Sequence, residues 1–466
     1  MNPTIAARLC TARNLLVAVA GFGALGCTAP ARFSPVNSDG RHFRSVDGRA
    51  RLFRGVNARV SEIFDVTLDG GRAPLETVPP FEAADATRMA ELGFNLLRLP
   101  LSWSGLEPTR GAFSEAYLDK VEQVVRLCGT EGISVLLDMH QDAWSKEIGE
   151  DGAPLWAIQP PPDQILAGPL NDLDKRRTSA QVTRAFAGFF TDDRNGLQGE
   201  FATMFTRLAA RFVNDEAVLG YEIFNEPLAA DSELLPFHTK VAAAIRTVDQ
   251  KHLIAFEPSV TRNFTDAAPL ADKPFADRGG IYAPHIYTAV FTNDGRLAAD
   301  TYETALAASF AAARDEAVAW QLPLLVGEMG VDPSHAAWLG HALDAADEQL
   351  ASTAMWVWKE ESQGSWGLFD KLSDGSWAER PQMIAAASRP YPRLIGGDPE
   401  GVSWDGTRLV VRFVGRAGVP ALHEVYFPGP DPVATCDGAM VPLVSMGRSV
   451  YQATCDNSGR HALVVH

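Results

Sequence analysis

Two glutamates in this chain stand where apolar runs stop. Val218-Leu219-Gly220-Tyr221-Glu222-Ile223-Phe224 leads into Asn225-Glu226-Pro227, and Leu322-Pro323-Leu324-Leu325-Val326-Gly327 leads into Glu328. Short apolar runs of this kind make buried strands, and Pro227 has no N–H with which to continue a ladder. Each run therefore delivers a carboxyl group to the C-terminal mouth of a strand. Charge rarely sits at the end of a buried strand without a use. Two carboxyls so placed suit the cleavage of a glycosidic bond, one protonating the leaving group and the other attacking the anomeric carbon. In that chemistry burial and a neighbouring carboxylate raise the pKa of the acid/base, Glu226, while a nearby cation keeps the nucleophile, Glu328, ionised.

Such strands need a scaffold that gathers their ends. Apolar stretches at residues 51–57, 93–100, 133–139, 218–224, 252–257, 280–287, 322–328 and 353–358 alternate with helical periodicity at 82–92, 114–131, 178–212, 232–249, 302–320 and 334–350. Eight strands alternating with helices is the pattern of an α/β (β/α)8 TIM barrel, whose active face is built from the strand C-termini. An open doubly wound sheet would want a glycine-rich nucleotide loop after an early strand, and the sequence has none. Past Pro390-Tyr391-Pro392 the rhythm changes to short alternating runs separated by Gly, Pro and Asp, which predicts a small C-terminal antiparallel β-sandwich. The expected organisation is a signal peptide over residues 1–27, a tether over 28–46, the catalytic barrel over 47–389 and the β-sandwich over 390–466.

The predicted strand ends form a ring of polar and aromatic residues: Arg98, Asp138 through Asp142, Asn225 and Glu226, His285 with Tyr287, Glu328, and Trp358. Taken singly, His140 and Asp142 could be a hydrogen-bonded packing pair, Tyr287 rim packing and Trp358 core. A complete ring at one face argues for a binding site. His140 and Asp142 lack the companion histidines of a metal site, so no metal or cofactor is implied.

In this order the residues resemble family 5 of the glycoside hydrolases, retaining glycosidases built on a (β/α)8 barrel. The resemblance implies that Arg98 hydrogen-bonds the nucleophile Glu328, that Asn225-Glu226-Pro227 is the acid/base motif, and that Asn225 meets the sugar 2-hydroxyl. It likewise implies substrate contacts for His140, Asp142, His285 and Tyr287, with Trp358 as the aromatic floor of the sugar site. Asp138-Met139-His140-Gln141-Asp142 with Trp144-Ser145, followed by Asp151-Gly152-Ala153-Pro154 and Trp156-Ala157, is similar to the endoglycoceramidases. Those enzymes cut the β-glycosidic bond between a glycan and ceramide, and they too carry a C-terminal β-sandwich. Where they place a sugar-binding lysine after the first strand, this chain has Asn57-Ala58-Arg59-Val60-Ser61-Glu62. The expected substrate is thus a glycolipid or other amphiphilic β-glycoside met at a membrane or micelle surface. Trp144, Trp156 and Ile158, in the insertion after the third strand, are candidates for an apolar lip facing the lipid. Self-packing of that loop is the alternative. An exo-β-glucosidase on glucosylceramide or steryl glucoside, or an endo-β-galactosidase-type enzyme, would keep the same mechanism. A non-catalytic glycolipid-binding lipoprotein is disfavoured by the presence of both glutamates.

The 466 residues carry a formal net charge of −17, which argues against nucleic acid as a partner. Arg8 and Arg13 precede an apolar run over residues 15–25, a signal-peptide pattern. The run closes on Ala24-Leu25-Gly26-Cys27, which resembles a bacterial lipobox and implies lipidation of Cys27. The protein is therefore expected to be exported, either lipid-anchored in a bacterial cell envelope or secreted. In an oxidising compartment Cys436 and Cys455 are expected to form a disulfide, with Cys128 a buried free thiol.

Overall fold

The computed structural model describes residues 36–64, 75–166, 168, 172–267, 277, 279–292, 294–361 and 366–466. The expected signal segment, with Cys27, lies outside the described residues.

Eight parallel strands form one sheet: β1 (Arg54–Asn57), β2 (Leu96–Ser102), β3 (Ser134–His140), β4 (Val218–Glu222), β5 (Leu253–Phe256), β6 (Gly280–Tyr282), β7 (Leu325–Met329) and β8 (Ser352–Met355). Their order in the sheet is β7-β8-β1-β2-β3-β4-β5-β6, and parallel bridges Tyr282–Leu324 and His285–Glu328 join the two edges. The result is the barrel expected from the alternating pattern. Side-chain alternation along each strand decides what lies inside. Phe53, Leu96, Leu136, Leu219, Leu253, Ala255, Ile281, Leu325 and Ala354 make one cluster, drawn from the full circle of strands, that fills the interior. Their neighbours Leu97, Leu99, Val135, Leu137, Tyr221 and Ile254 face outward, into the larger core beneath the helices. Arg98, Asp138, Glu257 and His285 follow the interior set at two-residue steps, so each projects into the barrel one layer nearer the mouth. On β4 a bulge between Val218 and Gly220 restores the same phase for Glu222.

Helices Ala83–Glu91, Glu115–Thr130, Asp231–Arg246, Glu303–Trp320 and Ala336–Glu348 cover the outside. The helical stretch expected over 178–212 is two helices, Ala180–Phe190 and Leu197–Phe212. Asp193, Asn195 and Gly196 between them take positive φ of 43°, 57° and 70°, which no helix can continue.

The C-terminal unit differs from the expected boundaries. A five-stranded sheet holds Gly397–Trp404, Leu409–Gly415, Gly459–Val465, Ala434–Cys436 and Ala439–Val441. The seven-stranded sheet against it contains Tyr391–Ile395, Leu422–Tyr426, Val450–Thr454 and Val444–Gly447, but also Val36–Ser38, Phe43–Ser45 and Ala50–Arg51. Residues 36–46, expected as tether, are therefore strands of the sandwich, and the chain passes from sandwich to barrel between Arg51 and Arg54. Short strands carry little sequence signal, and here they are held by a sheet whose other members lie at the far end of the chain. Cys436 and Cys455 are disulfide-bonded within this unit's core, and Cys128 is a buried free thiol. Barrel and sandwich are joined by polar contacts. Asp347, which holds Arg54 of β1, also pairs with Arg389 at the entry to the sandwich strand Tyr391–Ile395, and the Tyr391 hydroxyl donates to the Gly93 carbonyl at 2.7 Å. Gly93, at φ +86°, lies so close to Tyr426 that a Cβ there would come within 2.5 Å of the ring.

Candidate active site

The interior charge begins with Arg98. Its guanidinium is fully buried and donates through Nη1 to Glu328 Oε1 at 2.7 Å and Asn57 Oδ1 at 3.0 Å. Nε and Nη2 hold Glu222 through two bonds of 2.9 Å, and Nη2 also reaches Asn225 Oδ1 at 2.8 Å. One fork thereby fixes the nucleophile candidate, the amide beside the acid/base candidate and a structural carboxylate. Burial opposes the cation, but Asp138, Glu222 and Glu328 outweigh it and hold the Arg98 pKa well above its usual value.

Glu328 ends up with a donor on each oxygen, Arg98 on Oε1 and the Tyr287 hydroxyl on Oε2 at 2.8 Å. Burial raises its pKa, and the opposing pull of His285 and Arg98 does not cancel that rise, so it stands above the usual carboxylate value. Glu226 is held differently. Its backbone sits at φ +44°, a left-handed conformation that aims its side chain into the mouth before Pro227 turns the chain away. Asn263 Nδ2 donates to its Oε1, and His285 Nδ1 lies 2.8 Å from the same atom. Burial first, then the charge of Asp142, pushes the Glu226 pKa up to about 7, against the lowering effects of Arg177 and Asn263. The side chain of Glu226 is 18% exposed and that of Glu328 6%, so the acid/base candidate is the one solvent and a leaving group can reach. A carboxylate oxygen of each lies within 4.8 Å of the other. That spacing fits direct attack by one carboxylate, since the ~6.5–9.5 Å of inverting enzymes must leave room for a water. The carboxylates cluster tightly enough for a cation, and the Arg98 guanidinium already supplies that charge.

His140 stands between Asp138, 2.6 Å from Nδ1, and Asp142, 3.3 Å from Nε2, and these two carboxylates raise its pKa well above the usual value despite burial. Arg177 pairs with Glu150 at 2.7 Å and lies 3.7 Å from Asp142. The expected residues Arg98, His140, Asp142, Asn225, Glu226, His285, Tyr287 and Glu328 are thus brought to one mouth.

Trp358 is not. It is 2% exposed, its Nε1 donates to Asp85 Oδ1 at 2.9 Å, and its ring packs on Phe369 at 4.6 Å. The aromatic surface at the mouth is Trp356, half-buried and stacked on His140 at 5.6 Å with 12° between planes. β8 ends at Met355, so Trp356 already stands at the rim, and the following turn carries Trp358 outward beneath the helices. The lip assignment is corrected as well. Trp144 and Ile158 are each 1% exposed, and the Trp144 ring meets Phe189 at 5.1 Å and Phe186 at 5.4 Å. Trp156 is half-buried against Trp103 at 5.3 Å, with its Nε1 donating to the Glu107 carbonyl. The insertion folds back on the two following helices because its aromatics bury more area there than at a rim.

Three residues of the site were given no role by the sequence reading. Gln141 Nε2 donates to the Asn225 carbonyl at 2.8 Å and to the Glu226 carbonyl at 3.2 Å, and so holds the acid/base turn. Asn263 comes from the short turn Arg262–Thr265, anchored by Arg262 on the His285 carbonyl. Arg59 bonds Glu76 at 2.6 Å and Glu360 at 3.0 Å, and its guanidinium lies 6.0 Å from the Trp356 ring. Gln141 had a signal as part of the polar end of the third strand, and Arg59 as the cation standing where a lysine was expected.

An apolar shelf lies beside Glu226. Phe264 follows Asn263 on the same turn and is 56% exposed; Phe291 is 43% exposed and packs on Tyr287 at 4.6 Å and Trp366 at 6.1 Å. Phe264 and Phe291 are themselves 6.2 Å apart. The loop after β4 adjoins this turn through Val260 N to Pro227 O, and Leu228 on it is exposed.

A carboxylate pair at this spacing, at the C-terminal mouth of a (β/α)8 barrel, defines a retaining glycosidase. The chain matches the Cellulase (glycosyl hydrolase family 5) family over residues 64–362 and belongs to that family. Among curated proteins it is similar to an endoglycoceramidase of Cyanea nozakii, 26% identical over 443 residues, covering 81% of this chain and 82% of the relative. Among solved structures an endogalactoceramidase superposes with a TM-score of 0.76 at 27% identity, covering 93% of this chain and all of that one. The lactosyl-enzyme intermediate of endo-glycoceramidase II from Rhodococcus sp. gives 0.74 at 26% identity, with 93% and 99% coverage.

Proposed function

We propose that this glycoside hydrolase cleaves glycosphingolipids between glycan and ceramide, with Glu328 as nucleophile and Glu226 as acid/base. The observation that carries the substrate reading is the position of the apolar shelf. Phe264 follows Asn263, the donor to Glu226, and Phe291 packs on Tyr287, the donor to Glu328, so exposed apolar rings border a site otherwise lined by charged groups such as Arg59, Glu76, Asp142 and Arg177. An amphiphile with a polar glycan and an apolar aglycone matches that division.

In the first step Glu328 attacks the anomeric carbon. With Glu226 Oε1 occupied by Asn263 and His285, the proton falls to Oε2 and passes to the departing ceramide oxygen. Glu226, now ionised, takes a proton from the water that opens the glycosyl-enzyme, and the configuration is retained. Incubation with lactosylceramide tests the reading. Intact lactose and ceramide are expected; release of single sugars alone would replace it with exo action, and no turnover of any glycolipid would discard the ceramide assignment.

The membrane part of the proposal rests on residues 1–27. We propose that this segment directs export and that Cys27 bears lipid. A Cys27→Ala protein should leave the membrane fraction; unchanged fractionation would end the idea.

A further inference from the structure

Behind the two glutamates lies a layer of ionisable groups that the two-carboxylate mechanism does not use. Glu257 follows β5 and is 2% exposed. Its Oε1 is 3.3 Å from Arg98 Nη2 and 3.3 Å from His285 Nε2, a ring nitrogen that finds no hydrogen-bond partner among the described residues. Its carbonyl meets His238 Nε2 at 3.1 Å. Ligand atoms of Glu222, Glu257 and His285 all lie within 4.8 Å of one another. Two ionised carboxylates buried that close repel each other and offer only acceptors, which favours a proton on one of them.

Counting donors shows which one. Asp138, Glu222, Glu257 and Glu328 all approach Arg98, at 3.2, 2.9, 3.3 and 2.7 Å. Besides Arg98 the layer has one more cation among the described residues: His140 faces a carboxylate from each ring nitrogen and donates from both, whereas His285 Nε2 makes no hydrogen bond and burial lowers the His285 pKa to about 4, which keeps it neutral. Four carboxylates against two cations would leave two buried negative charges unanswered, and protonation of one halves that excess. Asp138 is held by His140, Glu222 by two guanidinium N–H groups, and Glu328 by Arg98 and Tyr287. Glu257 has only the longest contact, shared on an Nη2 that also serves Glu222 and Asn225.

We propose that Glu257 is a proton-bearing positioning residue: it shares a proton with Glu222 and, being neutral, leaves Arg98 to hold Glu328. An ionised Glu257 would compete for the same guanidinium and place another anion near Glu226. Burial, followed by the Glu222 charge, moves the Glu257 pKa well above the usual carboxylate range, in the direction the donor count requires. The inference rests on Glu328 being the nucleophile, and its test separates the two. In protein carrying 13C-carboxyl glutamate, one glutamate should remain protonated above the Glu226 transition at about 7, and that signal should vanish in Glu257→Gln. Ionisation of every glutamate there overturns the proposal without any variant having to fold, while turnover by Glu328→Ala would sink the nucleophile assignment alone. Kinetics supply the second arm. Glu257→Leu removes the polar contacts and should lower kcat/KM on an aryl glycoside about 30-fold, with Glu257→Gln restoring it to within about threefold of the parent. A folded Glu257→Gln as poor as Glu257→Leu would mean that the ionised carboxylate is needed, and the proposal would fall.

Discussion

Replacing Asn263 by alanine should move the alkaline limb of the pH profile upward. Asn263 donates to Glu226 Oε1, and such a bond favours the ionised carboxylate over the acid. A hydrogen bond to a charged group contributes ~1.5–3 kcal/mol and one between neutral groups ~0.5–1.5, so the difference favouring ionisation is ~1–1.5 kcal/mol. At ~1.36 kcal/mol per pKa unit that is about one unit. Glu226 is 18% exposed, and water entering the space left by the amide recovers part of the stabilisation. The Glu226 pKa should therefore rise from about 7 to ~7.5–8. The sign follows from the protonation state that works: the acid form donates to the leaving group, so activity falls as pH rises through this pKa, and a higher pKa extends activity to higher pH. The assay is kcat/KM against pH on a natural glycolipid, which reports the free enzyme through its first irreversible step. Asn263→Ala should also lose rate at its optimum, since Oε1, then held by His285 alone, competes better with Oε2 for the proton meant for the leaving group. A limb that stays in place or moves to lower pH would refute the reasoning, because Asn263 would then not be donating to the acid.

Glu226→Ala should lose glycolipid turnover while sparing aryl glycosides whose leaving groups need no proton, whereas Glu328→Ala should lose both and be partly rescued by azide. Identical leaving-group dependence in the two variants would mean that their roles are misassigned. Phe264→Ser with Phe291→Ser should lower kcat/KM on micellar glycolipid ~10-fold and leave a short soluble aryl glycoside unaffected, because two exposed rings contribute only where an apolar aglycone covers them. Equal losses on both substrates would reduce the shelf to scaffold. Ile158→Ser, by contrast, should cost ~2–5 kcal/mol of stability in thermal unfolding, as expected for a core side chain. Cys436→Ser should lower stability by ~3 kcal/mol, given a sequence separation of 19, and an unchanged melting temperature would contradict a structural role for the bond.

Glu226 and Glu328 were legible because their signal is local: an apolar run, a stop and a carboxyl. Arg98, His140, His285 and Tyr287 were legible because strand alternation and a barrel leave few places for polar residues. Trp356 and Trp358 share the same alternation, and period two could not separate them once the strand had ended at Met355. The choice lay in the turn that follows. Asn263 had no signal, since its turn is placed by Arg262 reaching the His285 carbonyl and backbone of a distant helix. Trp144 and Ile158 show the remaining difficulty. Apolar residues in a long insertion look the same whether they meet a lipid or one another, and only the neighbouring phenylalanines decide.

The pairing of Ala50 with Ile395 and of Arg51 with Leu394 has a consequence for how the chain is made. At a synthesis rate of ~5–20 residues per second, the strands before the barrel wait about 20–70 s for the segment that completes their sheet. Through that interval the outer edge of Ala50–Arg51, whose other side pairs with Phe43 and Arg44, offers unpaired backbone to any other extended chain, a hazard in a crowded compartment. The barrel strands can pair as they emerge, each beside its predecessor, so closure of the sandwich falls to the end of folding. A nascent chain stalled after residue 390 would hold both Glu226 and Glu328 and still lack the sheet that shields its beginning.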